Sequence, residues 1–562
     1  MKLAFHGRHL IVSIAFLISS VASTKTAASP PLRVLAAVTH ASYTHAAAQL
    51  EISKLLIDRQ HDVYFAAFNY DLKWGSNISK LNLVDLGGVA PLREEFAIML
   101  EQLTALAISN PDAIYDHNYG VMFGDYARLY TLFRNVISGQ SQHGGPMDIV
   151  MCDFFARPCI DAAHSLNVPC IIVQTSLDVH DFGNQPYLPY LRSSSKVTLE
   201  NASFWERLRE KFILPLEKEY MRGPSYEQQS KVFKELGVTP YTTLTRSCEH
   251  SLVFIASVPW IDQPRPIPPN VHYIGPALPE HYEPLTPELQ HFLDTHTRSV
   301  FISFGSLTTV KPHEFEAMVQ SLTAAYHAEL VDGVIWGLMN THADELNGII
   351  HTNSTTKSGA VVHQEHYLED MQHGRHPFIR ILERAPQRAV LKHPSVQLFI
   401  SHCGLGSIHE AMEAGTPILG IPAFADQPSN ALIIESLNAG RRISWKEVGT
   451  STMHSVLEHM LSSPDAEKIQ TTVSRLQRLV TIFNKRLDYA VDIVEMAAVP
   501  GLMKLIEPAD QRMPWWKANN LDLWIAIITI VLVFGVSLIY ASTFLIAQLM
   551  YIFFSSGKNK TE

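Results

Sequence analysis

The residues best suited to chemistry crowd into one stretch, Arg384 to Asn430. His402, Ser407, Glu410, Asp426 and Gln427 all lie there, with Gly404 and Gly406 inside the His402–Ser407 turn. Val396 to Ser401 is an apolar run sized for a buried parallel strand. Ile408 to Ala414 follows with a helical pattern, stopped by Gly415 and Pro417. Ile418 to Ile421 reads as the next strand, and Pro422 to Asn430 as the loop after it. In an open parallel sheet, ligands sit at the carboxyl ends of strands. A glycine turn there aims backbone N–H groups and a helix N-terminus at the ligand, which favours a phosphate. His402 and Ser407 add donors, and Glu410 can accept from ribose hydroxyls. Asp426 and Gln427 suit the hydroxyls of a sugar. Together these types describe a nucleotide-sugar site, although an ordinary crossover with a polar loop uses the same glycines.

The stretch also resembles the donor-binding signature of the UDP-glycosyltransferases, the family-1 enzymes with a GT-B fold. The matching residues are Ala385-Pro386-Gln387, His393-Pro394, His402-Cys403-Gly404, Ser407, Glu410, Gly415, Pro417, Pro422, Phe424 to Pro428 and Asn430. The resemblance implies that Ala385 and Gln387 face uracil and that Glu410 binds the ribose. It places His402 and Ser407 on the diphosphate, and Asp426 and Gln427 on the sugar. Two positions depart from the family. Arg384 stands where a Trp usually stacks on the base, a task a guanidinium plane also performs. Gly406 stands where the family usually has Asn.

A second cluster precedes this one. Leu32 to Thr39 and Val63 to Ala67 read as strands flanking a helix, Ala46 to Arg59. The family's catalytic His lies fourteen residues before the Arg of an R-G-H turn. Arg59-Gln60-His61 matches that turn and puts His45 at that spacing, with His40 a competitor in the same loop. A helix N-terminus lowers a His pKa and favours the neutral base. Asp153 follows the strand Asp148 to Cys152, where the family often keeps the carboxylate that orients this base. An Asp in that place also serves as a helix cap. Ser299 to Phe304 is another buried-strand run, ending in Gly305 and Ser306, and by the same resemblance that turn approaches the diphosphate.

Length and composition bound the rest. A chain of 562 residues exceeds one core. The expected fold class is α/β: two Rossmann-like parallel-sheet domains across a cleft, plus a C-terminal transmembrane helix. The expected layout is a signal peptide at 1–23, an acceptor domain at 31–262, a Pro-rich connection at 263–285 and a nucleotide-sugar domain at 286–465. The resemblance implies that helices at 466–510 return to the first domain; 523–556 is expected to span a membrane, and 557–562 to be a short tail. Leu523 to Ser556 holds no charged residue, and Trp515-Trp516-Lys517 marks the interface before it. Lys558 and Lys560 resemble a dilysine retrieval signal, so the expected placement is the lumenal face of the endoplasmic reticulum. Asn77, Asn201 and Asn353 head glycosylation sequons.

A net charge of −10 without a long basic tract argues against nucleic acid as a partner. Five irregularly spaced cysteines do not form a disulfide framework, and none has zinc-ligand spacing. The His-rich stretch from Thr341 to His376 reads as a solvated insertion rather than a metal site. The expected activity is inverting transfer of a hexosyl group, glucosyl or glucuronosyl, from a UDP-sugar to a hydroxyl of a small lipophilic acceptor. UDP-sugar is then a co-substrate, and no cofactor or metal is required. The rival reading is a membrane-tethered protein of the same fold that binds a nucleotide or lipid without transfer.

Overall fold

The structure, a computed structural model, describes residues 30–39, 43–88, 125–175, 202–213, 224–239, 250–259, 261, 267–306, 308, 310–338, 367–423 and 426–558. The expected signal peptide, His40, Asn201, Asn353, residues 341–366 and Lys560 lie outside the described residues. Asn77 is described and exposed.

Two parallel sheets organise the chain. The first has seven strands in the order β3-β2-β1-β4-β5-β6-β7. They are β1 Arg33–Ala37, β2 Asp62–Ala67, β3 Asn82–Asp85, β4 Ile149–Asp153, β5 Cys170–Gln174, β6 Leu252–Ile255 and β7 Val271–Tyr273. The second has six, in the order β10-β9-β8-β11-β12-β13. They are β8 Ser299–Ser303, β9 Gly333–Gly337, β10 Ile379–Leu382, β11 Val396–Ser401, β12 Ile418–Gly420 and β13 Gly440–Arg442. Every residue of β4 and β5 is buried, which is why these strands are continuous apolar runs rather than alternating ones. In each sheet the order reverses beside the first strand, between β1 and β4 and between β8 and β11. Such switch points leave a crevice at the carboxyl ends where a ligand fits.

Helices α1 Tyr43–Asp58 and α2 Tyr126–Ile137 belong to the first half, as does α3 Arg157–Ser165. In the second half α4 Pro287–Thr295, α5 Pro312–His327, α6 Gln387–Leu391, α7 Leu405–Ala414, α8 Gln427–Ser436 and α9 Ser451–Leu461 surround the sheet. Several boundaries differ from the sequence reading, among them α1, which begins at Tyr43 rather than Ala46 and so takes His45 into its first turn. Helix α7 begins at Leu405, with Gly404 as its N-cap, three residues before the periodicity places it. Helix α8 begins inside the stretch read as a loop. The helical pattern of 466–498 divides at Lys485–Arg486 into α10 Pro464–Asn484 and α11 Leu487–Ala497. The stretch 263–285, read as a connection, also supplies edge strand β7.

The chain returns to its first half through α11. Ala490, Val491, Val494 and Ala497 bury there against the core that holds β1, β2 and α1. The Arg59-Gln60-His61 turn receives the polar side of the helix. His61 accepts from the Leu32 N–H at 3.0 Å through Nδ1, and its Nε2 meets Glu495 at 3.0 Å. Arg59 pairs with Asp492 at 2.6 Å and with Glu495 at 3.3 Å. Exposed pairs of this kind add about 0–1 kcal/mol each, so apolar burial holds the helix and the charges set its register. Helix α12, Leu521–Lys558, contains a 34-residue apolar stretch, Leu521–Phe554, that is long and apolar enough to cross a membrane.

Gly275 fixes the start of this return. Its φ is +86°, and a Cβ there would run into the backbone carbonyl of Phe483 at the end of α10. Beside it, Asn484 receives the Leu278 N–H at 2.8 Å and donates to the Leu278 carbonyl at 3.0 Å. The atoms that face this Cβ, the Phe483 carbonyl and the Asn484 backbone nitrogen, are main chain and cannot swing away. Gly275→Ala is expected to destabilise the protein by roughly 2–4 kcal/mol. Thermal and urea unfolding check this, and an unchanged midpoint would contradict the contact.

Candidate active site

Both switch points carry the residues singled out from the sequence. On the first sheet, α1 starts after β1 and presents His45 in its first turn, while Asp153 ends β4 on the other side of the crevice. Asp153 Oδ2 lies 2.8 Å from His45 Nδ1. Asp153 is fully buried, and its Oδ1 accepts the N–H of Phe155 at 3.0 Å. A carboxylate beside Nδ1 keeps the ring proton on that nitrogen, so a neutral imidazole carries its lone pair on Nε2. The Phe155 ring packs on the imidazole, with centroids 5.3 Å apart.

The expected lowering of the His45 pKa by its helix N-terminus is overturned. Burial does pull it down, but the charge and hydrogen bond of Asp153, then the charge of Asp426, hold it above the usual His value. The same shift adds stability that is complete below the ordinary His pKa and is lost as pH rises through the elevated one.

On the second sheet, Gly305 and Ser306 follow β8, and His402 to Gly404 follow β11. The His402 ring sits where side chains at Gly305 and Gly404 would otherwise be. An added Cβ would fall 2.7 Å from its Nε2 at Gly305 and 2.5 Å at Gly404. Burial drives the His402 pKa down to about 4, against the pull of the Ser303 backbone, so the ring is neutral at pH 7. Its Nδ1 is buried without a partner among the described residues. Ser306 is exposed at the rim.

Gln387 opens α6 and joins two other candidates. Its Nε2 donates to Ser407 Oγ at 3.1 Å and to Glu410 Oε2 at 2.6 Å. Burial raises the Glu410 carboxyl above its usual range, opposed by that bond and by the charges of Arg388 and Lys392. Ala385 is half-buried against Gly337, and Arg384 is exposed. Gln427 is buried, and its Oε1 accepts from the Ala423 N–H at 2.9 Å.

The two halves meet at this site. A Cβ on Gly406 would lie 3.4 Å from Thr44 Cγ2, one residue before His45. That is ordinary contact distance, and it brings the start of α7 against Thr44. Tyr43 feels the charges of Glu410 and Arg384, as His45 feels Asp426. Deeper in, Ser257 Oγ and His409 Nε2 are 3.0 Å apart and buried, which ties α7 to the first half. Burial takes the His409 pKa to about 3, so this tie is between neutral groups.

One residue escaped the sequence reading of the site, and another matched the family signature without being given a role. Thr175 follows β5, and its Oγ1 lies 3.1 Å from His45 Nδ1. A polar residue at the carboxyl end of a buried strand is the signal that marks it. Asn430 is fully buried and donates to Asp426 Oδ2 at 2.8 Å and to the Cys403 carbonyl at 3.0 Å. It orients the Asp426 carboxylate and locks the turn after β11, where Cys403 has φ +64°.

Two parallel sheets whose switch points face one another, one with a His–Asp pair and one with a glycine turn and helix N-terminus, define a GT-B glycosyltransferase. Solved structures share this fold. The glycosyltransferase of kitacinnamycin matches with TM-score 0.57 and 16% identity, over 83% of this chain and 99% of that one. A UDP-glucosyltransferase from Polygonum tinctorium matches with TM-score 0.54 and 17% identity, over 83% of this chain and 99% of that one. The family model for UDP-glucuronosyl and UDP-glucosyl transferases matches residues 146–552, and the chain belongs to that family. It is 27% identical to a UDP-glycosyltransferase of Talaromyces amestolkiae over 89% of this chain and 96% of that protein. It is 22% identical to UDP-glucuronosyltransferase 2B18 of Macaca fascicularis over 86% and 87%. The protein is therefore a UDP-glycosyltransferase.

The electrostatics of His45 yield a test. Activity that needs neutral His45 should rise with pH through a value above the ordinary ~6.5 of His. Asp153→Asn removes the charge that holds this value up, so the acidic limb of kcat/KM should move to lower pH. The plateau should fall by roughly 10²–10⁴-fold, because the tautomer is no longer fixed. A limb that stays in place in the variant would show that another group titrates.

Proposed function

We propose that the protein transfers a hexosyl group, glucosyl or glucuronosyl, with inversion from a UDP-sugar to a hydroxyl of a small lipophilic acceptor. The observation that carries this reading is the 2.8 Å contact of His45 Nδ1 with buried Asp153, set opposite the donor turn. In the proposed step, the acceptor O–H gives its proton to His45 Nε2. The oxygen attacks the anomeric carbon from the face opposite UDP as the bond from that carbon to the diphosphate breaks. Asp153 stabilises the imidazolium that forms.

The departing charge meets the N–H groups at the start of α7, with the hydroxyls of Ser306 and Ser407. His402 joins them as a neutral dipole rather than a cation, given a pKa near 4. Asp426 and Gln427 hold the sugar, Glu410 the ribose, and Arg384 and Ala385 with Gln387 the base. These fixed donors meet the leaving charge without a divalent cation. The first half is proposed to bind the acceptor and the second the donor. The apolar α12, with the sequence signals at either end of the chain, supports a single-pass anchor and a lumenal body in the endoplasmic reticulum.

The test is UDP release by the full-length protein in detergent, with UDP-glucose, UDP-glucuronate, UDP-galactose and UDP-N-acetylglucosamine against sterols, phenols and lipid alcohols. Acceptor-dependent release from a glucosyl or glucuronosyl donor is expected. His45→Ala should lose turnover by about 10²–10⁴-fold while still binding UDP. Full turnover in that variant would remove His45 from the mechanism. A product that keeps the donor's anomeric configuration would exclude inversion.

A further inference from the structure

Cys152 directly precedes Asp153 and is disulfide-bonded to Cys159 in the first turn of α3. The irregular cysteine spacing, read as no disulfide framework, gave no sign of this single bridge. Among the described residues Cys170 and Cys403 carry buried thiols, and Cys248 lies outside them. The bridge closes the segment that leaves the sheet with Asp153, Phe154 and Phe155. Three contacts with the dyad come from that segment. The Phe155 N–H caps Asp153 Oδ1 at 3.0 Å, the Ala156 N–H meets the Asp153 carbonyl at 2.8 Å, and the Phe155 ring lies against His45. Strand β4 ends at Asp153, and just beyond it the Phe154 N–H still reaches the Val173 carbonyl at 3.1 Å; the covalent tie adds a second anchor on that side by joining the strand to α3. Cys170 on β5 completes the cluster, its Sγ 4.0 Å from Cys152 Sγ. Buried thiols pack well as small apolar groups without any bond, so packing alone does not call for a bridge here.

We propose that the Cys152–Cys159 bridge is a positioning element for the reaction. It holds Asp153 against His45, and breaking it lowers turnover while leaving donor binding intact. The proposal rests on the reading of His45 and Asp153 as base and orienting carboxylate. A dithiol reductant opens the bridge by giving two electrons and is itself oxidised to a disulfide, while Cys152 and Cys159 each gain a proton. Exchange needs no reductant: a Cys170 thiolate attacks Cys152 Sγ, forms Cys152–Cys170 and expels Cys159 as thiolate. A variant lacking only Cys159 leaves Cys152 and Cys170 as neighbouring thiols, which a small-molecule disulfide can oxidise to a misplaced bridge while it is itself reduced to two thiols, so Cys170 must be removed as well.

The experiment compares full-length Cys170→Ala, which keeps the bridge, with Cys159→Ala/Cys170→Ala, which cannot form one. Non-reducing peptide mapping of Cys170→Ala should show Cys152 joined to Cys159. The double variant should lose roughly tenfold or more in kcat, since a misplacement of ~1 Å costs up to about 10²-fold. Donor KM and UDP affinity should stay put, and the acidic limb of kcat/KM should move down as Asp153 drifts from His45. An unaltered kcat and pH profile would overturn the proposal, as would a parallel loss of UDP affinity or the absence of the joined peptide. Failure of the underlying reading looks different: turnover then survives in His45→Ala. If His45→Ala is inactive and the bridge-free variant fully active, the bridge proposal alone falls.

Discussion

A buried carboxylate against an imidazole at the mouth of the first sheet sets the terms for the rest of this molecule. Removing Asp153 from water costs several kcal/mol unless partners replace the solvent. His45 Nδ1 and the Phe155 N–H do so, one on each oxygen. Both partners depend on architecture. His45 arrives because α1 begins where β1 ends, and Asp153 because β4 pairs with β1 on the opposite side of the switch point. The strand order brings together two residues 108 positions apart in sequence.

The second sheet repeats the device with different chemistry. Its switch point presents a glycine turn, a seated neutral His402 and the N-terminus of α7, groups suited to negative charge. Asn430 orients Asp426, and Asp426 in turn raises the pKa of His45 across the cleft. The halves are therefore coupled by field as well as by contact. Ser257 with His409 closes the depth of the cleft, and Thr44 against Gly406 its mouth.

Much of this was legible in the sequence. Buried strands announced themselves as apolar runs, and the motif from Ala385 to Asn430 pointed to the glycine turn after β11. Short edge strands did not: β13 is Gly-Arg-Arg and is held by pairing with β12 rather than by its own side chains. The start of α7 was misplaced because Gly404, Leu405 and Gly406 carry little helical periodicity while backbone geometry decides the cap. The His45 pKa was misjudged because a helix terminus is local and visible, whereas Asp153 and Asp426 act through tertiary structure. Thr175 and the Cys152–Cys159 bridge share that cause, as each needs the fold before its neighbours are known.

The most direct measurement of the central claim is a double-mutant cycle on turnover with His45→Ala, Asp153→Ala and the two combined. If Asp153 acts through His45, the combined variant is about as slow as His45→Ala alone, because residues that work as one unit are strongly non-additive. If the two losses instead multiply, each residue assists the reaction separately, and the dyad is not its base.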